Sequence, residues 1–394
     1  MTTTKTRVVV LGGGYAGVLA ANHLRVRDDV DITLVNARPT FVERIRLHQL
    51  VTGSDDAVVD YQTLLGDGIH LVVDSATQID APARTVTLAS GQTLAYDYLI
   101  YAVGSTGATP AVPGAEFAYP ISELEHAQQL HAALGTVPAD APLVVVGAGP
   151  TGIETAAELG EIGRRVTLVC GKILGPYLST PGRRSVAKRL AKLGVTVLDG
   201  PGATVTAVAE DTVTLADGRE LPSAITIWTA GFGVPDLAIR SGLTTDSLGR
   251  LLTDETLTSV DDPRIIAAGD ASAPSDQPLR MSCQAALPLG AQAANTVLSR
   301  IAGERPAAIS QAFTGQCISV GRNAGTIQLA HTDDTVLPLY IGGRAGATVK
   351  EAVCKGTISF LTREARKPGS YFWLKGGKRQ QRLAAAKGAG AAVK

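Results

Sequence analysis

Hydrophobic residues follow the same order at two places in this chain. Residues 8–11, Val-Val-Val-Leu, lead into Gly-Gly-Gly-Tyr-Ala-Gly at residues 12–17, and an apolar helical pattern follows. Residues 143–146, Leu-Val-Val-Val, lead into Gly-Ala-Gly-Pro-Thr-Gly at residues 147–152. A short, continuous apolar run is typical of a buried parallel strand. Each stretch therefore predicts a strand, a tight turn and a helix.

The repeat extends well beyond the glycine turns. A second apolar strand follows at a matching distance, at residues 31–35 and 165–169. Each copy then contains Thr-Val-Thr-Leu-Ala, a Ser-Gly or Asp-Gly turn, and a buried strand that stops at Gly104 or Gly231. Alternating strands joined by such turns predict a β-meander. We therefore expect an α/β fold with two Rossmann-like dinucleotide-binding halves, each with a β-meander insertion, and two sites for nucleotide-like ligands.

The pattern predicts further elements between and after the two copies. They are a helix from a capping box at residues 122–125 to about residue 134, a strand at residues 264–268, and a helix from about residue 283 to 301 with Pro288 in its first turn or at a kink. From about residue 308 the predicted strands are short and rich in Gly and Thr. They predict a small β-containing third domain that ends in a basic tail.

Composition narrows the class of protein. The 36 basic and 36 acidic residues balance, which argues against a nucleic-acid partner. Residues 350–394 nevertheless contain eleven Lys or Arg against two Glu, a local charge of +9. The four cysteines are far apart, so we expect reduced thiols and no metal site. With no signal peptide and no run of about 18 apolar residues, we expect a cytoplasmic protein, free or peripheral on the inner face of the cytoplasmic membrane.

The glycine turns have the spacing Gly-x-Gly-x-x-Gly, in which each glycine has a different role. The first allows the tight turn, the second lets a phosphate approach the backbone, and the third lets the helix pack closely on the strand. A pyrophosphate would then lie at the helix N-terminus, where free N–H groups and the helix dipole favour negative charge.

The two glycine turns, the two glycine-ended strands and the Ile-Ile-Ala-Ala-Gly-Asp segment at residues 265–270 occur in an order that resembles a known family. It is that of the two-dinucleotide-binding-domain flavoproteins, in the branch of type II NADH dehydrogenases and apoptosis-inducing-factor-like quinone reductases. The resemblance covers roughly residues 5–305. It implies an FAD-binding domain at residues 1–110 and 246–307, an NAD(P)H-binding domain at 111–245, and a C-terminal domain at 308–394.

The resemblance also implies which residues hold FAD. They are Gly12, Gly14, Tyr15, Ala16, Gly17, Asn36, Ala37, Arg38, Arg44, Gln49, Ala102, Gly104, Gly269 and Asp270. Asp270 would accept a hydrogen bond from a ribityl hydroxyl; the alternative is an ordinary turn carboxylate. Residues 47–53, Leu-His-Gln-Leu-Val-Thr-Gly, resemble the segment that runs beside the isoalloxazine ring.

The segment just before it, residues 41–46, contains no cysteine, so a dithiol mechanism is not expected. Arg44 and Arg46 could reach a phosphate or the flavin edge, or be solvated arginines on a loop. We interpret His48 as a packed polar side chain and not as a catalytic one.

In the second copy, the resemblance assigns the nicotinamide cofactor to Gly147, Gly149, Pro150, Thr151, Gly152, Cys170, Lys172 and Gly231. An acidic residue about 20 positions after the glycines usually binds the adenosine ribose. The first copy has Asn36 there, whose amide can still bond a hydroxyl, and the second has Cys170 followed by Gly171 and Lys172. Because the repelling carboxylate is missing and a cation is added, we expect NADPH to be accepted at least as well as NADH.

Three residues are candidates for the chemistry itself. Glu154 matches a glutamate that the family places near nicotinamide and flavin, where it could handle a proton if burial raised its pKa. The alternative is a first-turn glutamate that complements the helix dipole, and Glu158, one turn later, is expected at the surface. Gln284 matches the quinone-facing helix of type II dehydrogenases, and Arg280 could stabilise the anion of a reduced quinone.

These features predict an FAD-dependent NAD(P)H oxidoreductase with a quinone-like acceptor. Two alternatives stay open: a reductase of a ferredoxin-like protein, and a flavin-bound redox sensor or scaffold with low turnover. Aromatic residues at 371–373 beside the cations of the tail suit a membrane interface. The tail could instead be solvated, or its aromatics could close the third domain over the flavin. Sequence leaves open whether the chain forms a homodimer.

Overall fold

The fold is described by a computed structural model for residues 5–391, with side chains as far as residue 385. Helices in this part of the chain are α1 (Tyr15–Leu24), α2 (Leu47–Thr52), α3 (Tyr61–Leu64), α4 (Leu124–Thr136), α5 (Pro150–Glu161), α6 (Thr180–Lys192), α7 (Leu237–Arg240), α8 (Cys283–Ile301), α9 (Gly343–Arg366) and α10 (Arg379–Ala391).

The strands are mostly short. In chain order they are β1 (Thr6–Leu11), β2 (Val30–Asn36), β3 (Thr40–Val42), β4 (Val58–Asp60), β5 (Ile69–Val73), β6 (Ala76–Asp80), β7 (Thr85–Leu88), β8 (Thr93–Ala95), β9 (Tyr98–Tyr101), β10 (Thr106–Gly107), β11 (Ala118–Pro120), β12 (Pro142–Val146), β13 (Arg165–Val169), β14 (Thr196–Leu198), β15 (Val205–Val208), β16 (Thr212–Leu215), β17 (Glu220–Pro222), β18 (Ile225–Trp228), β19 (Phe232–Gly233), β20 (Leu251–Thr253), β21 (Ile265–Ala267), β22 (Ser272–Pro274), β23 (Gly315–Ser319), β24 (Gly325–Ala330) and β25 (Val336–Gly342).

Two five-stranded parallel sheets dominate the fold. Their strand orders are β21-β9-β1-β2-β5 and β11-β18-β12-β13-β14, so β1 and β12 occupy the central position in each. Both central strands are almost wholly buried, because helices or other layers cover both faces of a parallel sheet. Each copy also has an antiparallel three-stranded meander, β6-β7-β8 and β15-β16-β17. The predicted doubled Rossmann-like α/β fold is confirmed.

Helix α8 has the predicted bounds and lies against the glycine-rich start of α1. A side chain at Gly290 would overlap the backbone of Ala16, so glycine is needed for this approach. Pro288 lies in the second turn of α8. Because proline has no N–H, it leaves the carbonyl of Gln284 without its helical donor. The side-chain amide of Gln311 donates to that oxygen at 2.8 Å and replaces the missing bond.

The capping box predicted for α4 is wrong. The helix begins at Leu124 after Glu123 as N-cap residue, and Glu123 makes no side-chain cap. The carboxylates of Glu123 and Glu125 bind Arg38 instead, at 3.1 and 2.6 Å. The Glu125 carboxylate binds Arg38 and does not cap the helix, since a hydrogen bond between two charged groups is stronger than one between a charged and a neutral group.

The third part of the chain combines a three-stranded antiparallel sheet, β23-β24-β25, with the long helix α9. Glu364, near the end of α9, is fully buried and accepts from the amides of Gly369 and Tyr371, both at 2.6 Å. Its carboxylate also lies 2.7 Å from Nδ1 of His23 in α1. Glu364 therefore connects the segment after α9 to helix α1, which packs on the first parallel sheet. No helix in residues 5–391 is long and apolar enough to cross a membrane.

Candidate functional site

The first glycine turn connects β1 to α1 with the expected division of roles. Gly12 has φ of +100°, a conformation that favours glycine, and it lies against the Ala102 carbonyl. Gly17 packs so closely on the carbonyl of Gly12 that a side chain there would overlap it. In front of Gly14 there is open space. The open face lies at the N-terminus of α1, where N–H groups lack helical partners and an anion is stabilised.

The second glycine turn has the same geometry. Gly147 has φ of +114°, Gly152 packs on the Gly147 carbonyl, and Gly149 faces open space at the start of α5. Pro150 opens the helix, where its missing N–H costs nothing. Thr151 follows it in the first turn. Two sites that fit a pyrophosphate therefore lie at the carboxyl edges of two different sheets.

Asp270 fits a ligand with hydroxyl groups. One carboxylate oxygen accepts from the Ser105 hydroxyl at 2.7 Å, while the other is buried without a hydrogen-bond partner among the described residues. Burial raises the pKa of Asp270, although the Ser105 bond and Arg44 counteract this rise. An unpartnered buried carboxylate oxygen is unfavourable unless a donor completes it. A ribityl hydroxyl of bound FAD would be such a donor, so the residues present fit this cofactor.

The other residues predicted around the first glycine turn lie beside it. Tyr15 and Ala16 begin α1, and the hydroxyl of Tyr15 is buried without a hydrogen-bond partner in the part of the chain that carries described side chains. Gly269 lies against Ala16, and Gly104 faces open space at φ of +73°. Arg44 donates to the Ser105 carbonyl.

Asn36 and Arg38 stabilise the turn and its surroundings. Asn36 accepts from a glycine amide of the turn at 2.9 Å and donates to the Arg38 carbonyl at 2.8 Å. The hydrogen bond from Arg38 lowers the pKa of Glu125 to about 2. Arg38 therefore connects the first glycine turn to α4, while Ala37 between them is exposed.

Glu154 lies in the second turn of α5, not in the first turn that the dipole alternative requires. Its carboxylate is 3.0 Å from Nζ of Lys350 and accepts from the Ser319 amide at 3.0 Å. Burial alone would raise the pKa of Glu154, but Lys350 holds it below its ordinary value. The raised pKa on which a proton-handling role depends is therefore absent, because a buried ammonium group stabilises the carboxylate.

The predicted surface position of Glu158 is wrong. Its side chain is 3% exposed and forms an ion pair with Arg322, in the turn after β23. Together with Glu154 and Glu161, it forms an acidic face on α5 that binds this turn. The prediction failed because the partner strand comes from the third part of the chain, which covers a helix face that would otherwise be solvated.

Arg46 is not a solvated arginine. It is buried, and its guanidinium contacts Glu351 at 3.0 Å and the Gln49 side chain at 3.0 Å. Because these two side chains occupy its guanidinium, Arg46 is not free to bind a phosphate. His48 is a packed polar side chain, as predicted, and burial lowers its pKa to about 4, so it is neutral at pH 7.

Lys350 is the residue that sequence reasoning missed. It lies on α9, and in the sequence it is one of the eleven cations of residues 350–394. Burial alone would lower the pKa of Lys350, but Glu154 raises it above its ordinary value. A cavity of about 320 Å³ adjoins this ion pair, and Gln49, Ser319 and Lys350 are among the residues that line it. No local sequence signal distinguishes Lys350 from its neighbours on the helix.

The two residues predicted for the acceptor side lie together at the start of α8. Arg280 forms a salt bridge with Asp334 at 2.7 Å and lies over the ring of Phe313. The side-chain amide of Gln284 contacts the Thr314 hydroxyl at 2.7 Å. The charge of Arg280 is therefore already matched by a carboxylate.

Comparison with known proteins agrees with this geometry. The family model for pyridine nucleotide-disulphide oxidoreductases matches residues 6–293. The chain belongs to this family. Membership of this family implies a flavin and a pyridine nucleotide. The protein therefore belongs to the NAD(P)H-dependent flavin oxidoreductases.

Two relatives and one solved structure illustrate the match. The NADH dehydrogenase-like protein Rv1812c of Mycobacterium tuberculosis is 33% identical over 75% of this chain and 80% of its own length. The type II NADH:quinone oxidoreductase Ndh of the same organism is 28% identical over 76% of this chain and 74% of its own. The sulfide:quinone oxidoreductase of Aquifex aeolicus, at 22% identity, has a similar fold with a TM-score of 0.78 over 92% of this chain and 93% of that chain.

Proposed function

We propose that this protein is an FAD-dependent oxidoreductase that takes a hydride from NAD(P)H and delivers two electrons to a quinone-like acceptor. The observation that carries the proposal is the pair of glycine turns, each with open space before its second glycine, together with the unpartnered buried oxygen of Asp270. The quinone relatives favour this acceptor class.

When bound, the flavin supplies the redox chemistry, and the protein supplies position and electrostatics. The first glycine turn and Asp270 would hold FAD, and the second turn would hold the nicotinamide dinucleotide. Gln284 and Arg280 are our candidates for the acceptor side.

Reduction of a quinone by NAD(P)H consumes one proton, which must enter from water. Lys350 and Ser319 both line the cavity and contact Glu154. Because Lys350 keeps Glu154 ionised, we propose that this ion pair fixes the charge beside the cavity, and that water and not Glu154 supplies the proton.

The decisive experiment is stopped-flow spectroscopy of the purified yellow protein. We expect NADH or NADPH to bleach the flavin within seconds, and menaquinone or ubiquinone analogues to reoxidise it rapidly. Turnover only with a ferredoxin would replace the acceptor class in the proposal. Reduction followed by slow reoxidation with every acceptor would favour a sensor, and a colourless protein that binds no FAD would contradict the proposal as a whole.

The third part of the chain carries a surface suited to a lipid membrane, where a quinone would be met. Exposed apolar side chains there are Val336, Leu339, Tyr340, Ile341, Val349, Val353, Phe360, Phe372 and Leu374. Tyr371 and Trp373 pack instead against the hydrophobic core formed by β1, α1 and α8, while Arg379 is buried in an ion pair with Glu255 at 2.7 Å. The docking surface would therefore consist of the exposed apolar side chains of β25, α9 and residues 372–374, together with the exposed Lys375. It would not include the whole basic tail.

We expect the double variant Phe372→Glu with Leu374→Glu to bind anionic vesicles at least about tenfold more weakly than the parent protein. Two apolar side chains would no longer insert into the lipid, and the anionic headgroups would repel the two added charges. Flotation with phosphatidylglycerol vesicles measures this. Val260→Glu with Ile162→Glu, at two exposed apolar positions outside this surface, is the matched control of equal charge change and should bind like the parent. Equal binding by all three proteins would contradict a docking role for these two residues.

A further inference from the structure

The ends of β13 and β14 form a small platform beside the second glycine turn. The Gly147 amide donates to the carbonyl of Val169, the last residue of β13, at 2.9 Å. The Cys170 amide donates to the Leu198 carbonyl at 2.8 Å, and the Gly200 amide donates to the Lys172 carbonyl at 3.2 Å. The residues that follow the two strands are thus held side by side at the sheet edge where ligands bind in such folds.

Open space lies in front of this platform. Gly171 and Gly200 both have positive φ, and a side chain at either position would meet no atom within 4 Å. Gly149 of the glycine turn faces open space as well. A dinucleotide whose pyrophosphate lies at Gly149 would therefore extend its adenosine end over these residues.

Two opposite charges flank the open space. Asp199 follows β14 directly, next to Cys170, and its carboxylate contributes to the rise that burial produces in the pKa of the Cys170 thiol. Lys172 lies on the adjoining strand end. Both side chains are exposed, and neither makes a hydrogen bond or ion pair within the described side chains of residues 5–385. Unlike Asp217 nearby, which binds Arg219, they have no competing partner on the chain.

We propose that Asp199 and Lys172 together set the donor preference: Asp199 accepts the 2′-hydroxyl of NADH, and Lys172 binds the 2′-phosphate of NADPH. The proposal rests on the proposed function in taking the second glycine turn as the donor site. The carboxylate that the chain lacks at Cys170 is supplied by the next strand, so the site keeps an acceptor for the hydroxyl and gains a cation for the phosphate. Such a site accepts both nucleotides.

The test is binding of the oxidised nucleotides NAD⁺ and NADP⁺ to the flavin-loaded protein by isothermal titration calorimetry, which requires no turnover. Asp199→Asn should weaken NAD⁺ about tenfold, because a bond to a charged acceptor is lost, and should leave NADP⁺ unchanged or tighter. Lys172→Gln should weaken NADP⁺ about fivefold and leave NAD⁺ unchanged. Glu210→Gln, an exposed position on the turn between β15 and β16, is the control of equal charge change for Asp199→Asn.

Opposite shifts of the NADP⁺ to NAD⁺ affinity ratio in the two variants support the inference. Asp199→Asn that weakens both nucleotides equally overturns it, because the carboxylate then binds the shared adenine. Ratios that stay at the parent value also overturn it. A parent protein that binds neither nucleotide while holding FAD contradicts the proposed donor site itself, which separates the failure of the proposed function from that of this inference.

Discussion

Replacing Lys350 by methionine is expected to lower the free energy of unfolding by about 3–5 kcal/mol, because it leaves a buried carboxylate without its cation. Glu154 is 7% exposed and Lys350 12% exposed at the side chain, and their charged atoms are 3.0 Å apart. Methionine has a similar volume, so the loss would come from charge and not from a cavity. Urea unfolding followed by far-UV circular dichroism measures the change.

Lys355→Met is the matched control for this substitution. Lys355 lies on the same helix and pairs with Glu351, but its side chain is 74% exposed. Removing an exposed pair changes stability by less than about 1 kcal/mol. The double variant Lys350→Met with Glu154→Gln should recover part of the loss, because the uncompensated charge is removed with it. Equal effects of Lys350→Met and Lys355→Met would contradict a buried ion pair at this position.

Local sequence signals explain why the two parallel sheets could be predicted. A buried parallel strand needs apolar residues on both faces, and a tight turn into a helix needs glycines at fixed spacing. Both requirements are met within a dozen residues, and their repetition at residues 143–152 made the interpretation specific. The start of α8 also has a local cause, since the Ser282 hydroxyl accepts from the Ala285 amide and caps the helix.

Partners distant in sequence explain what could not be predicted. Ser319 lies 165 residues after Glu154, and the chain between them gives no sign that the two meet. Glu158 has the pattern of an exposed helix position until the turn at Arg322 covers it. The capping box before α4 fails in the same way, because Arg38 comes from the first copy. These charged side chains pair with residues that are distant in sequence and become neighbours only in the folded protein. The hydrophobic periodicity of a segment gives no information about such partners.

Alanine substitutions at two glycines of the first turn should have different effects, one on stability and the other on cofactor binding. Gly17→Ala is expected to destabilise the protein by about 3 kcal/mol or more, because the added methyl group overlaps the carbonyl of Gly12 and the helix must move from the strand. Gly14→Ala should change stability by less than about 1 kcal/mol, since Gly14 has φ of −81° in the extended region and open space before it. Thermal unfolding of the two apoproteins measures the difference.

Flavin binding should show the reverse pattern: Gly14→Ala, which hardly changes stability, should strongly weaken FAD binding. A methyl group there occupies the face that the pyrophosphate approaches, so FAD affinity should fall roughly tenfold or more in a protein that remains folded. Gly149→Ala, the equivalent change in the second turn, is the matched control: it should keep FAD fully and weaken NAD⁺ binding instead. Flavin absorbance after gel filtration and calorimetric titration with NAD⁺ measure the two affinities. If Gly14→Ala retained its full flavin content while Gly149→Ala lost it, the assignment of the two cofactors to the two turns would have to be reversed.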